Sequence, residues 1–388
     1  MPYYVRQGKI PRKRHSIFRS ESGQLLPEQL VGNKGFVGIS SLLYHLRPPT
    51  TALSSEHLRD VALEADPERR LRHRHFRLHR LPTGGSPVLD RVPLMFNGDV
   101  ASYLVQPDRE DDFFYRNSQG DELIYVTQGE GVLETQFGEL PFAAGDYLVI
   151  PRSVLHRYRF TSENAIFLIL EAGGYFRTPG RYRNEHGQMI EGAPFSERDI
   201  RAPQNLRTHD ETGEFPVVVK QYDALTRIVL DHHPLDVVGW DGFFFPWALS
   251  IHDFEPLVGR FHQPPPVHQT FANDGFVVCS FCPRPYDFDP QAVPAPYNHS
   301  NVMSDEVLYY VSQEFMSRSG IEFGSLTLHP DGVPHGPHPG RAEASIGAQG
   351  TDELAVMFDT FRPLQVAQSI LTVEDDEYFQ SWVHGDHG

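Results

Sequence analysis

The chain has 388 residues with 51 acidic and 34 basic side chains, a net charge of −17 and a pI near 5.6. That balance disfavours a nucleic-acid or anionic-membrane partner, since both bind through a basic face, and no charged start followed by a long apolar run marks a leader or a membrane span. The expectation is a cytoplasmic protein of two or three domains, without nucleic-acid or membrane partners and with a small-molecule or protein partner instead; the two cysteines, Cys279 and Cys282, suit a reducing compartment.

Residues 1–94 read as an N-terminal arm and strands packing on the body. The first twenty carry Arg6, Lys9, Arg12, Lys13, Arg14 and Arg19, the composition of an arm laid over a folded surface. Between Arg70 and Arg80 arginine and histidine dominate. His73-x-His75 has ligand spacing there, but no carboxylate and glycine follow in step, so a solvated or interface strand is expected. Gly84, Gly85 and Pro87 then break the chain. Residues 95–175 hold short alternating strands such as Gly131–Thr135, with Glu122-x6-Gly129 ahead of Gly145-x5-Pro151-x4-His156. Arg116 stands six residues before Glu122, where a cation would repel a metal ion. Residues 176–215, rich in Arg, Asn, Glu, Gly and Pro, read as a connecting segment.

From 216 onward the pattern becomes chemical. The aromatic stretch Gly239–Trp247 suits a core or a pocket wall. Three prolines stiffen the loop between His262 and His268, and a rigidly held imidazole is a good acid/base group; either histidine could be it. Cys279-x2-Cys282 follows a strand-like run and lacks a second pair, so a structural role is expected. The decisive stretch runs from Asn298 to His338. A β-branched and aromatic run, Asp305–Val311, precedes a polar turn, and Gly324–His329 leads into Pro330-Asp331-Gly332. Two strands would thus bring His299, Glu306 and His335 together. Two imidazoles and one carboxylate are the facial triad that holds Fe(II) on one side and leaves the other open to substrate and O2. Asp305 and Glu306 must point to opposite faces of a strand. Glu306 is favoured, because Asp-Glu-Leu-Ile-Tyr-Val at 121–126 repeats Asp-Glu-Val-Leu-Tyr-Tyr-Val at 305–311. The acids of Thr372–Glu377, ahead of Tyr378, Phe379 and Trp382, read as the first turn of an N-capped helix.

Gly324-x5-Pro330-x-Gly332-x2-His335 resembles the second signature of cupin barrels, and Glu122-x6-Gly129 has the glutamate-to-glycine spacing of the first. The fold expected is therefore dominated by β-structure: a two-part cupin (bicupin) with few helices. Residues 95–175 would form a degenerate, metal-free barrel, and 216–388 a metal-binding barrel with a C-terminal helix. Leu26–Gly32, Val237–Trp240, Tyr297–Asn301 and above all His329-x5-His335-Gly336-Pro337 are similar to the homogentisate 1,2-dioxygenase family, in family order. The resemblance implies Fe(II) held by His299, Glu306 and His335, with His262 as active-site acid/base and His329 as a pocket histidine beside the metal. It further implies a small aromatic substrate and O2 as partners, and a homo-oligomer of the trimer or hexamer kind. The implied reaction is ring cleavage of homogentisate to maleylacetoacetate, a step of tyrosine and phenylalanine catabolism; Arg260 or Arg318 would meet the substrate carboxylate. A tyrosine that the family places near the substrate is replaced by Phe315, and one extra residue leaves Asp305 at the family's spacing. The rivals are the same chemistry on another hydroquinone- or gentisate-like ring and a non-redox bicupin, either isomerase or ligand-binding protein.

Overall fold

The computed structural model describes residues 3–313 and 315–384, and its architecture is dominated by β-structure, as expected. Its α-helices, among the described residues, are the short Arg341–Ser345 and Ser381–His384. Two seven-stranded sheets form the first half. One has the order Gly138–Phe142, Gly131–Thr135, His156–Phe160, Phe114–Asn117, Thr212–Gln221, Ala224–His232, Ala52–Asp60. The other runs Trp247–Ser250, Asp146–Ile150, Asp121–Gln128, Ile166–Ala172, Val100–Val105, Val92–Phe96, Gln365–Val366. A six-stranded sheet carries the decisive stretch, in the order Gln269–Ala272, Phe276–Phe281, Ala355–Thr360, Asp305–Tyr310, Ser325–His329, Arg74–Arg77. Gly145 and Gly324 open the signature turns in both halves with φ of +91° and +76°, a backbone region that glycine enters without steric cost.

The core is continuous between the halves. Tyr147 and Trp247 of the second sheet pack on Phe271 of the six-stranded one, with ring centroids 5.2 and 5.7 Å apart, and Tyr147 Oη and Ser280 Oγ share a 2.8 Å hydrogen bond. All four side chains are buried, so apolar area is removed from both sheets at once.

Strand pairing groups the chain differently from a boundary at residue 216. Thr212–Gln221 lies parallel to Phe114–Asn117, and Trp247–Ser250 pairs with Asp146–Ile150, so the chain as far as Ser250 completes the sheets of the first half. Val237–Gly242 pairs with Val5–Gly8 and Ser40–His45, which holds the N-terminal arm on the body. Arg74–Arg77 is not solvated: it is the terminal strand of the six-stranded sheet, paired with Ser325–His329, and Arg72, His73, Arg74 and His75 are buried. The acids at 374–377 precede a helical segment shorter than expected: Asp375 Oδ1 accepts from the Glu377 N–H, and a 3-10 turn, Tyr378–Gln380, runs into the α-helix Ser381–His384. Val373 ends a 3-10 turn, and Glu374 accepts hydrogen bonds from Arg72 and Arg74 while Asp375 accepts one from Arg77. Buried guanidinium groups need counter-charges, and Glu374 supplies one in place of a first-turn role.

Candidate metal centre

Glu306 sits on a central strand, opposite His329 on one neighbour and Asp359 on the other. Alternation sends Asp305 to the far face, where its two carboxylate oxygens accept from the backbone N–H groups of Asp331 (2.7 Å) and Leu364 (2.6 Å). His299 and His335 lie on segments flanking the sheet, tied by N–H donation each way at 2.8 and 2.9 Å. One ligand atom from each of His299, Glu306 and His335 can be chosen so that all lie within 4.8 Å of one another. His299 Nε2 is 3.6 Å from Glu306 Oε2, and His335 Nε2 is 3.3 Å from Oε1. The Nδ1 atoms of the two rings face carbonyl oxygens, Tyr297 O at 3.2 Å and Val333 O at 3.4 Å. A ring that donates from Nδ1 presents the Nε2 lone pair inward, the arrangement of a metal-ligating histidine. His335 Nε2 is buried without a hydrogen-bond partner among the described residues. An orphaned buried donor atom beside a carboxylate is what a divalent cation would satisfy, so these residues fit the implied iron.

Burial alone would raise the Glu306 carboxyl, but contacts with His299, His329 and His335 hold it well below the usual range. His329 is fully buried, donates from its Nδ1–H to Glu306 Oε1 at 2.7 Å, and meets Tyr378 Oη at 3.4 Å from its other nitrogen; burial and the Arg318 charge keep it neutral. His329 therefore orients the carboxylate from behind. His299 and Glu306 line a cavity of about 390 Å³ whose apolar wall includes Phe281, Leu308, Phe315 and Met357. His262 lines the same cavity from an exposed loop, with its ring 5.0 Å from that of Tyr297. His268 lines it too, but is packed on Phe281 at 4.6 Å, and burial drives its pKa down to about 3. Arg318 is buried on the cavity wall with Nε unpartnered, whereas Arg260 is exposed and paired with Asp289 at 2.7 Å. Cys279 and Cys282 are buried free thiols.

A family profile described as the N-terminal part of homogentisate 1,2-dioxygenase matches residues 93–251, which lie outside the triad. A putative dioxygenase of Saccharolobus solfataricus is 41% identical over 98% of this chain and 99% of its own. The chain belongs to the homogentisate 1,2-dioxygenase family. Homogentisate 1,2-dioxygenases of Bradyrhizobium diazoefficiens and Nitrobacter hamburgensis are 29% and 28% identical over 72% of this chain, and the match spans 64% of their length. A solved cupin 2 conserved barrel domain protein from Leptotrichia buccalis covers 77% of this chain and 99% of its own at 11% identity and a TM-score of 0.36, too slight a likeness to argue from.

Within this family member the first half repeats the site with its chemistry replaced. Glu122 and His156 stand where Glu306 and His335 do, and Tyr115 pairs with His156 as His299 pairs with His335. The counterpart of the first histidine is thus Tyr115, seven residues before Glu122, and not Arg116, which strand alternation turns away. The cation that meets Glu122 is Arg91, bidentate at 2.6 and 3.0 Å, with Asn117 and Tyr115 also donating to the carboxylate. Groups to which the sequence pattern gave other roles also stand near the triad. His73 Nε2 faces Pro334 O at 3.2 Å, and its ring lies 5.4 Å from His329 and 5.9 Å from His335. Tyr378 and Trp382 cover the back of the site, with the Trp382 Nε1–H donating to Gly336 O at 3.1 Å. A four-residue aromatic spacing was the available signal for that pair, and His73-x-His75 for the first.

Proposed function

We propose that this chain is an Fe(II)-dependent ring-cleaving dioxygenase acting on a para-diphenol with an acidic side chain, with homogentisate as substrate and maleylacetoacetate as product. The observation that carries the reading is a two-histidine, one-carboxylate cluster of which His299 and Glu306 line a cavity of about 390 Å³ with an apolar wall. His299, Glu306 and His335 would hold the iron, which supplies the electron transfer between a phenolate ring and O2. The chain's own groups do the rest. Phe281, Phe315, Leu308 and Met357 exclude water from the ring. Arg318, a buried cation with an unsatisfied Nε, meets the side-chain carboxylate. His262 stands at the rim on its proline-stiffened loop and takes or returns a phenolic proton. His329 fixes the Glu306 carboxylate from behind.

Phe315 favours a second reading, the same chemistry on another hydroquinone- or gentisate-like ring. It is buried against Tyr310 and Phe281, and no hydroxyl projects from that position. O2 uptake by anaerobically Fe(II)-reconstituted protein, with homogentisate, gentisate and hydroquinone side by side, decides between them. Uptake with homogentisate in a one-to-one ratio to substrate is expected. Uptake with gentisate alone transfers the assignment to the second reading, and none with any ring ends the dioxygenase assignment. A homo-oligomer, trimer or hexamer, is also proposed. In support, the Ala52–Asp60 strand is exposed along its whole length at a sheet edge, and such edges are usually covered. No helix among the described residues is long and apolar enough to cross a membrane.

A further inference from the structure

Asp359 lies directly opposite Glu306 in the antiparallel pairing of Ala355–Thr360 with Asp305–Tyr310, and both residues line the cavity. Opposed residues in such a ladder share one face, with Cβ atoms roughly 5 Å apart. Asp359 Oδ1 is buried and has no hydrogen-bond partner among the described residues. Its strand neighbours on this face are apolar: Met357 two residues before, Leu308 two beyond Glu306, and Val277 across the other ladder. A buried carboxyl oxygen left unpaired costs roughly 1 to 3 kcal/mol or more, so folds seldom leave one without cause.

The internal repeat supplies the control. Glu171 is opposite Glu122 just as Asp359 is opposite Glu306. There the second acid is fully satisfied, by Lys220 Nζ at 2.6 and 2.8 Å and by Asn117 Nδ2 at 2.7 Å. The same sheet position thus carries an acid in both halves, paired in the half whose carboxylate is locked by Arg91 and unpaired in the half that faces the cavity. No described residue supplies a partner for Asp359 Oδ1, and the cavity is the route by which a ligand reaches it.

We propose that Asp359 is a specificity-determining residue that hydrogen-bonds a ring hydroxyl of the substrate held at the His299–Glu306–His335 centre. The inference rests on the diphenol reading above and deepens it. One hydroxyl of the ring meets Asp359, and rings without that hydroxyl leave the carboxyl unpaired and bind less well. The residue acts on recognition, so its removal weakens one class of ligand and not others.

The test is a binding cycle run without O2. Homogentisate and its two singly hydroxylated analogues, 2- and 3-hydroxyphenylacetate, are titrated calorimetrically into Fe(II)-loaded wild type, Asp359→Asn and Asp359→Ala, with iron content matched. Asp359→Ala should weaken homogentisate and one analogue by about ten- to a hundredfold, the usual worth of a buried hydrogen bond, and leave the analogue lacking the anchored hydroxyl at its wild-type affinity. The melting temperature of the iron-free variants gives a second readout. It should stay level or rise when the unpaired carboxyl is removed, whereas loss of a merely structural residue lowers it. If both variants bind all three ligands as wild type does, or weaken all three equally, the anchor is wrong. Wild type that binds homogentisate yet takes up no O2 overturns the dioxygenase reading alone, and failure to bind any of the three overturns both.

Discussion

Asp305 and Glu306 are chemically alike neighbours, and the strand gives them different surroundings. Asp305 is spent on two backbone N–H groups, while Glu306 faces three imidazoles. Glu306→Gln should therefore lose its iron, because an amide is a poor anionic ligand and a three-ligand chelate has none to spare. Asp305→Asn should keep its iron and lose on the order of 1 to 3 kcal/mol of stability, since the amide nitrogen confronts an N–H it cannot accept from. Metal analysis beside thermal unfolding checks both, and an iron-loaded Glu306→Gln with an iron-free Asp305→Asn would reverse the assignment. The two loop histidines separate on similar grounds. His268, neutral down to about pH 3 and packed on Phe281, is a wall residue across the physiological range. His262→Ala should keep its iron and lose roughly a hundred- to ten-thousandfold in kcat, the usual worth of a positioned acid/base group. If His262→Ala turns over normally and His268→Ala is loaded but inactive, the role passes to His268.

At the scale of elements, what could be read in advance was what local pattern fixes. Asp305–Tyr310 and Ser325–His329 are apolar or β-branched runs between turn residues, and the internal repeat named Glu306 over Asp305 before any geometry was available. Arg74–Arg77 was not legible, because a run of arginines looks solvated until its counter-charges are known. Here they come from Asp66 nearby and from Glu374, three hundred residues away in sequence. Such ion pairing leaves no periodic signal; it takes up Glu374, while Asp375 still caps the turn that leads into Ser381–His384. Asp359 was silent for the opposite reason. Inside Ala355-Val356-Met357-Phe358-Asp359-Thr360 nothing but register shows that the acid faces Glu306.

Across the whole molecule, one sheet position is used twice with opposite electrostatics. In the second half a carboxylate is ringed by imidazoles that can give way to a metal, and in the first it is locked by Arg91 with Asn117 and Tyr115 in support. The lock has a consequence for acid stability. Burial would raise the Glu122 carboxyl, but Arg91, bidentate and buried with it, holds the pKa at about 2 against an ordinary 4.5. Between those values the unfolded chain takes up a proton that the folded chain does not, so this group's stabilisation is complete above pH 4.5 and is lost as the pH falls toward 2. The shift corresponds to something on the order of 3 kcal/mol. Glu122→Gln should be less stable at pH 7 by about 3 to 5 kcal/mol, because Arg91 is left buried without its counter-charge. It should also lose less further stability than wild type between pH 4.5 and 2.5. Denaturant unfolding of the two proteins at a series of pH values measures both quantities. Parallel acid limbs would mean that Glu122 titrates normally in the folded state and that Arg91 does not hold it.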